Sequence, residues 1–210
     1  MPRKPVIHSA GCTQAGTRRD APDSSRPYRW VAPALLVLGA GALLIACTSS
    51  RPVGNPRVPQ PAKPVDLNRY LGRWYELGRY DVSFERGCEG VTADYALRDD
   101  GLVRVLNTCR QGSPDGPARA SEGKAKIVAG SGGAKLRVSF FGPFFVGDYW
   151  VLDRDDDYAW SMVGEPSGKY LWILTRDPTP PADVTEMLLE RARSLGYDTD
   201  MLRMTRQPPG

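Results

Sequence analysis

Histidine is almost absent from this 210-residue chain, in which His8 is the only one. Histidine is the side chain that most often acts as a general base near neutral pH, activates a serine or cysteine nucleophile, or binds zinc or haem. The sequence also has no Gly-rich phosphate-binding loop and no carboxylate spacing typical of a metal site. We therefore expect no metal and no cofactor, and the residues argue against most hydrolytic and nucleotide-dependent enzymes.

A crowded acidic turn is the one feature that suggests a cation. It contains Asp153, Asp155, Asp156 and Asp157. Calcium loops place their oxygen ligands at ordered intervals, and this turn does not follow that spacing. The preferred interpretation is a solvated hairpin tip.

The chain has little excess charge outside its N-terminal part. Six of its 28 Lys and Arg, but only two of its 24 Asp and Glu, fall within residues 1–46, so the remainder is neutral. A nucleic-acid-binding domain normally carries a clear basic excess. The composition therefore gives no support for nucleic acid as a partner.

No apolar run reaches the roughly 20 residues that a membrane-spanning helix needs. The longest candidate, residues 31–46, has sixteen uncharged residues behind Arg26 and Arg29. Its length favours a secretory signal, and the tetrapeptide Leu-Ile-Ala-Cys that ends at Cys47 resembles a bacterial lipobox. The sequence predicts a signal peptide over residues 1–46, with acylation of Cys47 by diacylglycerol and an amide-linked chain such as palmitate. The alternative is an uncleaved signal anchor with an incidental cysteine.

The residues that follow Cys47 predict location and tether. In lipoproteins of this kind an Asp after the cysteine favours retention in the inner membrane, and Thr48 here favours the outer membrane, with the domain facing the periplasm. Because the export signal starts late, we expect Met1 to precede the true translation start. Five prolines between Arg51 and Pro64 predict an extended, hydrated tether over residues 47–64.

The rest of the chain, residues 65–210, reads as a β domain. The Asp100-Gly101 turn between two alternating runs is a strong hairpin signal. Eight antiparallel strands in sequence most economically close into an up-and-down barrel, whose interior is wide enough for one small ligand. The predicted strands are Arg73–Tyr80, Val91–Leu97, Leu102–Cys109, Ala118–Val128, Ala134–Phe141, Asp148–Arg154, Tyr158–Val163 and Tyr170–Arg176.

A single helix is predicted after the strands, opened by Pro180 and Pro181 and ended by Gly196. Its apolar face is expected to pack on the outside of the barrel; membrane binding is the alternative, which its mixed-charge polar face does not favour. The predicted face consists of Val184, Met187, Leu188, Arg191 and Leu195.

Three separated blocks resemble the three signature segments of the lipocalin family. They are Gly-Arg-Trp-Tyr at residues 72–75, Gly-Asp-Tyr-Trp at 147–150 and Leu-Trp-Ile-Leu-Thr-Arg at 171–176, and the resemblance covers roughly residues 65–208. It implies an eight-stranded calyx whose floor is closed by Arg176 lying across Trp74, just after the bend at Gly72. A guanidinium over an indole face is an attractive contact, so these residues are expected to be structural.

Two cysteines remain in the predicted mature domain, Cys88 and Cys109. In a hairpin centred on Asp99 and Asp100 they lie within two positions of facing each other, and an oxidising envelope favours a disulfide. The alternative is a pair of free thiols, one of which acts as a nucleophile, as in the prostaglandin-synthesising lipocalins.

Strand parity predicts which side chains line the cavity. Aromatic and aliphatic residues on the inner faces would suit a long apolar tail, with Tyr hydroxyls available to a polar head group; the alternative is that they fill a closed core. The predicted ligand contacts are Tyr95, Val138, Phe140, Trp150, Trp172 and Leu174, with Glu76, Gly78, Ala93, Leu136, Leu152 and Tyr170 as further inward positions.

The resemblance implies a membrane-anchored carrier that binds fatty acids or lysophospholipids for storage or transport in envelope maintenance. An enzyme that acts on a bound lipid, through a free cysteine or a Tyr–Glu76 pair, is the second hypothesis, and a purely structural envelope protein is the third. A homodimer is also expected from the resemblance, with the apolar loop Phe141–Phe145 as its contact surface.

Overall fold

The computed structural model describes residues 52–208, most of which belong to a nine-stranded antiparallel sheet. β8 pairs with β1 and β1 with β2, so that β1–β8 close into an up-and-down barrel, as predicted. The predicted signal peptide and Cys47 lie outside the described residues. The strands are β1 (Gly72–Tyr80), β2 (Cys88–Leu97), β3 (Val103–Gln111), β4 (Ala118–Ile127), β5 (Lys135–Ser139), β6 (Gly147–Arg154), β7 (Trp160–Gly164), β8 (Leu171–Thr175) and β9 (Leu202–Met204).

The alternating side chains of β3 illustrate why these segments form a barrel wall. Val103 and Val105 point inward and are buried, whereas Arg104 lies on the outer surface and pairs with Glu122 of β4 at 2.6 Å. A strand places successive side chains on opposite faces, so alternation of apolar and charged residues fixes which face is inside.

The barrel has two different ends, because antiparallel strands place alternate connections at the same end. The connections β1–β2, β3–β4, β5–β6 and β7–β8 form the open end, and β2–β3, β4–β5 and β6–β7 form the closed end. At the closed end the interior is filled by a core that includes Tyr70, Trp74 and Tyr158. The short helix α1 (Leu67–Tyr70) precedes β1 and places Tyr70 in this core. Asp66 caps the helix by accepting a hydrogen bond from the Asn68 amide at 2.9 Å.

A second core lies outside the barrel, under helix α2 (Ala182–Ser194). The helix begins after Pro181 and ends just before Gly196, as predicted. Leu188 and Ala192 are its buried residues, whereas Met187, predicted to face the barrel, is exposed. The prediction of Met187 was wrong because the contact stripe is centred on Leu188 and Ala192, and Met187 lies at its edge. The helix packs on Leu152, Met162, Leu171 and Ile173 of β6–β8.

Two segments differ from the sequence-based expectation. Strand β9 was not predicted, and it pairs with β1 through Leu202, Arg203 and Met204. Residues 54–64, predicted as part of a hydrated tether, lie against the barrel: the amides of Gly54 and Asn55 both donate to the Gly168 carbonyl at 3.1 Å. Proline keeps a chain extended without preventing it from packing along a surface.

Asn55 is the polar anchor of that N-terminal segment. It is buried, its side chain donates to the Leu195 carbonyl at 2.9 Å, and its side-chain oxygen accepts from the Arg57 amide at 2.9 Å. The preceding Gly54 lies so close to the ring of Tyr80 that a Cβ would stand 2.2 Å from it. The segment is therefore built into the domain at the loop between β7 and β8.

Candidate binding site in the barrel

A cavity of about 450 Å³ occupies the barrel between the closed-end core and the open end. A volume of this size is typical of a small-molecule site. Most of its wall is aliphatic or aromatic, and residues of the β1–β2, β5–β6 and β7–β8 connections surround its entrance: Phe84, Glu85, Val146 and Glu165.

The structure places five of the six predicted ligand contacts on the cavity wall: Tyr95, Val138, Phe140, Trp172 and Leu174. Glu76, Ala93, Leu136 and Tyr170 line it as well. That they contact a ligand stays a prediction.

Trp150, the sixth predicted contact, lies on the outer face of β6. It packs against the core under α2, and Lys135 Nζ stands 3.9 Å from the centre of one of its rings. The neighbouring Tyr149 lines the cavity instead, and Leu152 likewise faces the helix. Gly78, also predicted to face inward, lies against Met204 of β9. The parity assigned to β6 was wrong because α2 covers its outer face, so both faces are apolar.

A chain of hydroxyl groups crosses the bottom of the cavity. The Tyr149 hydroxyl is 2.9 Å from those of Tyr70 and Tyr95, and Tyr70 is also 2.9 Å from Ser161 Oγ. Burial raises the pKa of Tyr70 to about 12 and raises the pKa values of Tyr95 and Tyr149 well above 10. These hydroxyls therefore stay protonated at neutral pH, and they form a polar layer at the bottom of an otherwise mostly apolar wall.

A buried charge cluster forms one side of the cavity near its entrance. Arg79, fully buried, pairs with Glu76 at 2.5 Å and places Nε 3.0 Å from Glu85 Oε2. It also donates to the Thr205 hydroxyl at 3.0 Å. One guanidinium can balance only one of two carboxylates. Burial, reinforced by the Glu76 carboxylate and opposed by Arg79, raises the pKa of Glu85 to about 8.

The barrel floor has the geometry that the resemblance implied. The Arg176 guanidinium carbon lies 3.8 Å from the centre of a Trp74 ring. Arg176 also donates to the carbonyls of Arg69, Leu71 and Arg73, at 3.0, 2.8 and 2.5 Å. Gly72 holds a φ of +88°, which an L-residue adopts at a cost. This contact ties α1, β1 and β8 together beneath the core.

The disulfide joins Cys88 and Cys109 of neighbouring strands, whose Cα atoms are 5.3 Å apart. This confirms the predicted pairing. Neither sulfur is a free thiol in this state, so the enzyme hypothesis loses its cysteine nucleophile.

The sequence profile of the lipocalin-like domain matches residues 65–207. The chain is a lipocalin. Two relatives are named outer membrane lipoprotein Blc: the protein of Escherichia coli (strain K12) is 42% identical over 177 residues, 84% of this chain and 97% of the relative. That of Vibrio cholerae is 39% identical over 175 residues, 83% of this chain and 98% of the relative. Apolipoprotein D of Cavia porcellus is 34% identical over 181 residues, 82% of this lipocalin and 94% of the relative.

Among solved structures, insecticyanin from Manduca sexta matches with a TM-score of 0.57 at 20% identity, covering 71% of this lipocalin and 84% of that chain. At this identity the likeness shows the fold alone.

The described part of this lipocalin contains no candidate metal site. Across residues 52–208 no group of three His, Cys, Asp or Glu side chains is arranged to hold a metal ion. In the acidic turn, Asp155 accepts from the amides of Asp157 and Ala159, and Asp156 pairs with Lys63 at 2.9 Å. No helix within the same residues is long and apolar enough to cross a bilayer.

Two parts of the site were missed from the sequence. Arg79 was not singled out, because an Arg near the end of a strand gives no sign of being buried until its partners Glu76 and Glu85 are known. Tyr70 was overlooked because it precedes β1. Its spacing of four from Trp74 could have signalled a contact, since Trp74 Nε1 donates to the Tyr70 carbonyl at 2.8 Å.

Proposed function

We propose that this lipocalin is an acylated envelope protein that binds a single-chain lipid, a fatty acid or a lysophospholipid, in its barrel for storage or transport. The apolar cavity supports a long acyl chain as the bound group. The Blc relatives are named outer membrane lipoproteins, which supports an outer membrane location. Anchorage through acylated Cys47, with the domain facing the periplasm, is part of the same proposal.

The observation that carries the choice of lipid is the sign of the charges on the cavity wall. Its charged lining residues are all acidic, Glu76, Glu85, Asp148 and Glu165, and no Lys or Arg of residues 52–208 lines it. Arg79 and Arg137 balance two of these carboxylates from behind, at Glu76 and Asp148. A fatty-acid carboxylate would meet no cation on this wall. The ammonium of a lysophospholipid would meet the carboxylate of Glu165, which no Arg or Lys of the lining balances, because Glu85 is kept protonated at neutral pH. We therefore rank lysophospholipids with an ammonium head group above free fatty acids.

Native mass spectrometry of the full chain, titrated with lysophosphatidylethanolamine and with oleate, tests this function. The expected result is a saturable one-to-one adduct that forms at lower concentration with the lysophospholipid. Recovery of the lipid chemically unchanged is expected of a carrier, and a hydrolysed or modified lipid would establish the enzyme alternative.

A matched pair of variants on β2 shows whether binding takes place in the barrel. Ala93 lines the cavity and Ala96 is exposed on the outside. We expect Ala93→Trp to abolish the adduct by filling the cavity and Ala96→Trp to leave it intact. Binding that survives Ala93→Trp in a folded protein would contradict a barrel site.

A further inference from the structure

The most exposed large apolar side chains of the described residues gather at the open end of the barrel. Phe141, Val146, Phe144 and Phe84 are 89%, 75%, 72% and 60% exposed, and the next, Leu97 at the closed end, is 55% exposed. We call these four residues the apolar rim. Contiguous exposed apolar side chains usually mark a surface that is covered in use.

The apolar rim is continuous with the cavity and carries little charge. Phe84 and Val146 both belong to the rim and line the cavity entrance. The β5–β6 connection that carries the other two, residues 140–146, contains no Asp, Glu, Lys or Arg. The connection would therefore bring no ionised side chain of its own into a lipid interface, and the ammonium groups of Lys124 and Lys126 lie beside its Phe145 ring.

The path of the N-terminal segment shows which end of the barrel is close to the anchor. The first residue that packs on the domain, Gly54, is held at the Gly168 carbonyl in the β7–β8 connection, at the open end. From there the segment runs toward the closed end, where the Val65 amide donates to Gly132 in the β4–β5 connection at 2.8 Å. Gly54 is seven positions after Cys47 in the sequence, and a chain of that length spans at most about 25 Å. The closed end is farther from Gly54 by the height of the barrel, roughly 20 Å for a tilted eight-residue strand. A tether that ran back along the barrel would use most of its length on that height, whereas all of it is available for a bilayer at the open end.

From these observations we infer that the open end of the barrel faces the bilayer that holds the anchor, with the apolar rim inserted in the lipid interface. The inference rests on the proposed acylation of Cys47. It makes the entrance of the cavity open directly onto membrane lipid, so that a single-chain lipid passes between bilayer and barrel without crossing water. A second copy of the chain is the other occupant that could cover the rim.

Lipid photolabelling of the acylated full chain tests this orientation. The protein is reconstituted in phosphatidylethanolamine–phosphatidylglycerol vesicles that contain a diazirine-bearing acyl chain, and the labelled peptides are mapped by mass spectrometry. We expect label in residues 140–146 and around Phe84, and none in the closed-end connections 98–102 and 128–134. Label at the closed end, or a Cys47 without acyl chains, would overturn the inference. An unlabelled rim would also overturn the inference. If the protein with an unlabelled rim also had a dimeric mass, the rim would be assigned to contact with a second copy.

Two double variants each replace two exposed apolar side chains by serine, at opposite ends of the barrel. Phe141→Ser with Phe144→Ser changes the rim, and Leu97→Ser with Ile127→Ser changes exposed residues at the closed end. We expect the first pair to lower rim labelling by about tenfold and the second to leave it unchanged, because interfacial insertion depends on buried apolar area. Equal effects of the two pairs would refute a specific membrane-facing rim.

Ligand binding separates this inference from the proposed function. The rim variant is expected to keep its lysophospholipid adduct in mass spectrometry, since Phe141 and Phe144 do not line the cavity. A labelled rim in a protein that binds no lipid would leave the orientation standing and remove the carrier function.

Discussion

Replacing Glu85 by Gln is expected to change how the stability of the protein depends on pH. Glu85 is mostly buried beside Arg79, and Arg79 already pairs with Glu76. The folded protein therefore keeps Glu85 protonated at neutral pH, with a pKa of about 8 against an ordinary 4.5. A glutamine has the same shape, hydrogen-bonds as a neutral group and cannot ionise.

The direction of the effect follows from proton binding in the two states. Below pH 4.5 both the folded and the unfolded protein hold the proton. Between pH 4.5 and about 8 only the folded protein keeps it, so the contribution of Glu85 to stability falls as the pH rises and is lost above the folded pKa. The full difference corresponds to about 5 kcal/mol. Because water in the cavity and relaxation around the carboxyl reduce this, we expect a loss of about 2–3 kcal/mol.

Urea unfolding from pH 4.5 to 9 measures this loss. The parent protein should lose stability across the range through Glu85, and Glu85→Gln should flatten the profile and be the more stable protein at pH 9. Glu186→Gln, on the exposed face of α2, controls for the removal of one negative charge. If Glu85→Gln leaves the slope of the parent unchanged, Glu85 ionises freely in the folded state, and the argument from one guanidinium and two carboxylates is wrong.

Three further substitutions test the supports of the barrel. Arg176→Ala should lower the unfolding free energy by about 2–3 kcal/mol through loss of the Trp74 contact and the carbonyl hydrogen bonds. Arg176→Lys should lose about half as much. An Ala variant as stable as the parent would refute the role of Arg176 in closing the barrel floor. The Cys88→Ser, Cys109→Ser double variant should lose about 3 kcal/mol of unfolding free energy in chemical unfolding, as expected for a disulfide with a sequence separation of 21. A parent protein whose unfolding free energy is unchanged by reductant would argue against the bond. Asn55→Ala should cost about 1–3 kcal/mol by leaving the partly buried Leu195 carbonyl after α2 without its donor, and a neutral result in thermal unfolding would show that the Asn55 side chain does not anchor the N-terminal segment.

The barrel strands were predictable because their signals are local. Asp100-Gly101 turns the β2–β3 hairpin, and Val103, Arg104 and Val105 alternate as a one-sided wall requires. Strand β9 gave no such signal, since three residues cannot establish a period, and its pairing with β1 depends on where the chain returns after α2. The boundaries of α2 were predictable because Pro181 and Gly196 mark the helix ends in sequence.

The side-chain directions in β6 show where sequence reasoning fails for this site. Tyr149 and Val151 face the interior, whereas Trp150 and Leu152 face the helix, so four apolar residues in succession carry no alternation. The pairing of β6 with β7 also shifts register between Val151 and Asp153. A strand buried on both sides reads as a continuous hydrophobic run, and only the helix that covers it identifies the outer face.

The barrel wall has two halves, one covered on both faces and the other covered only on its inner face. Strands β6, β7 and β8 are covered inside by the cavity core and outside by α2, with residues 54–64 laid over part of the same face. The outer surfaces of β3 and β4 carry exposed charge pairs such as Arg104 with Glu122. The half that is packed on both sides also contains Trp172 and Leu174 of the cavity wall, and Asp153 of β6 is held by Arg191 of α2 at 2.6 Å. The wall formed by β6–β8 is packed on both faces and should keep its shape. The wall formed by β3 and β4 is held mainly by its sheet, so the width of the cavity can change there. If the proposed lipid-binding function is correct, the β3–β4 side is therefore where the barrel would widen for a bulkier lipid.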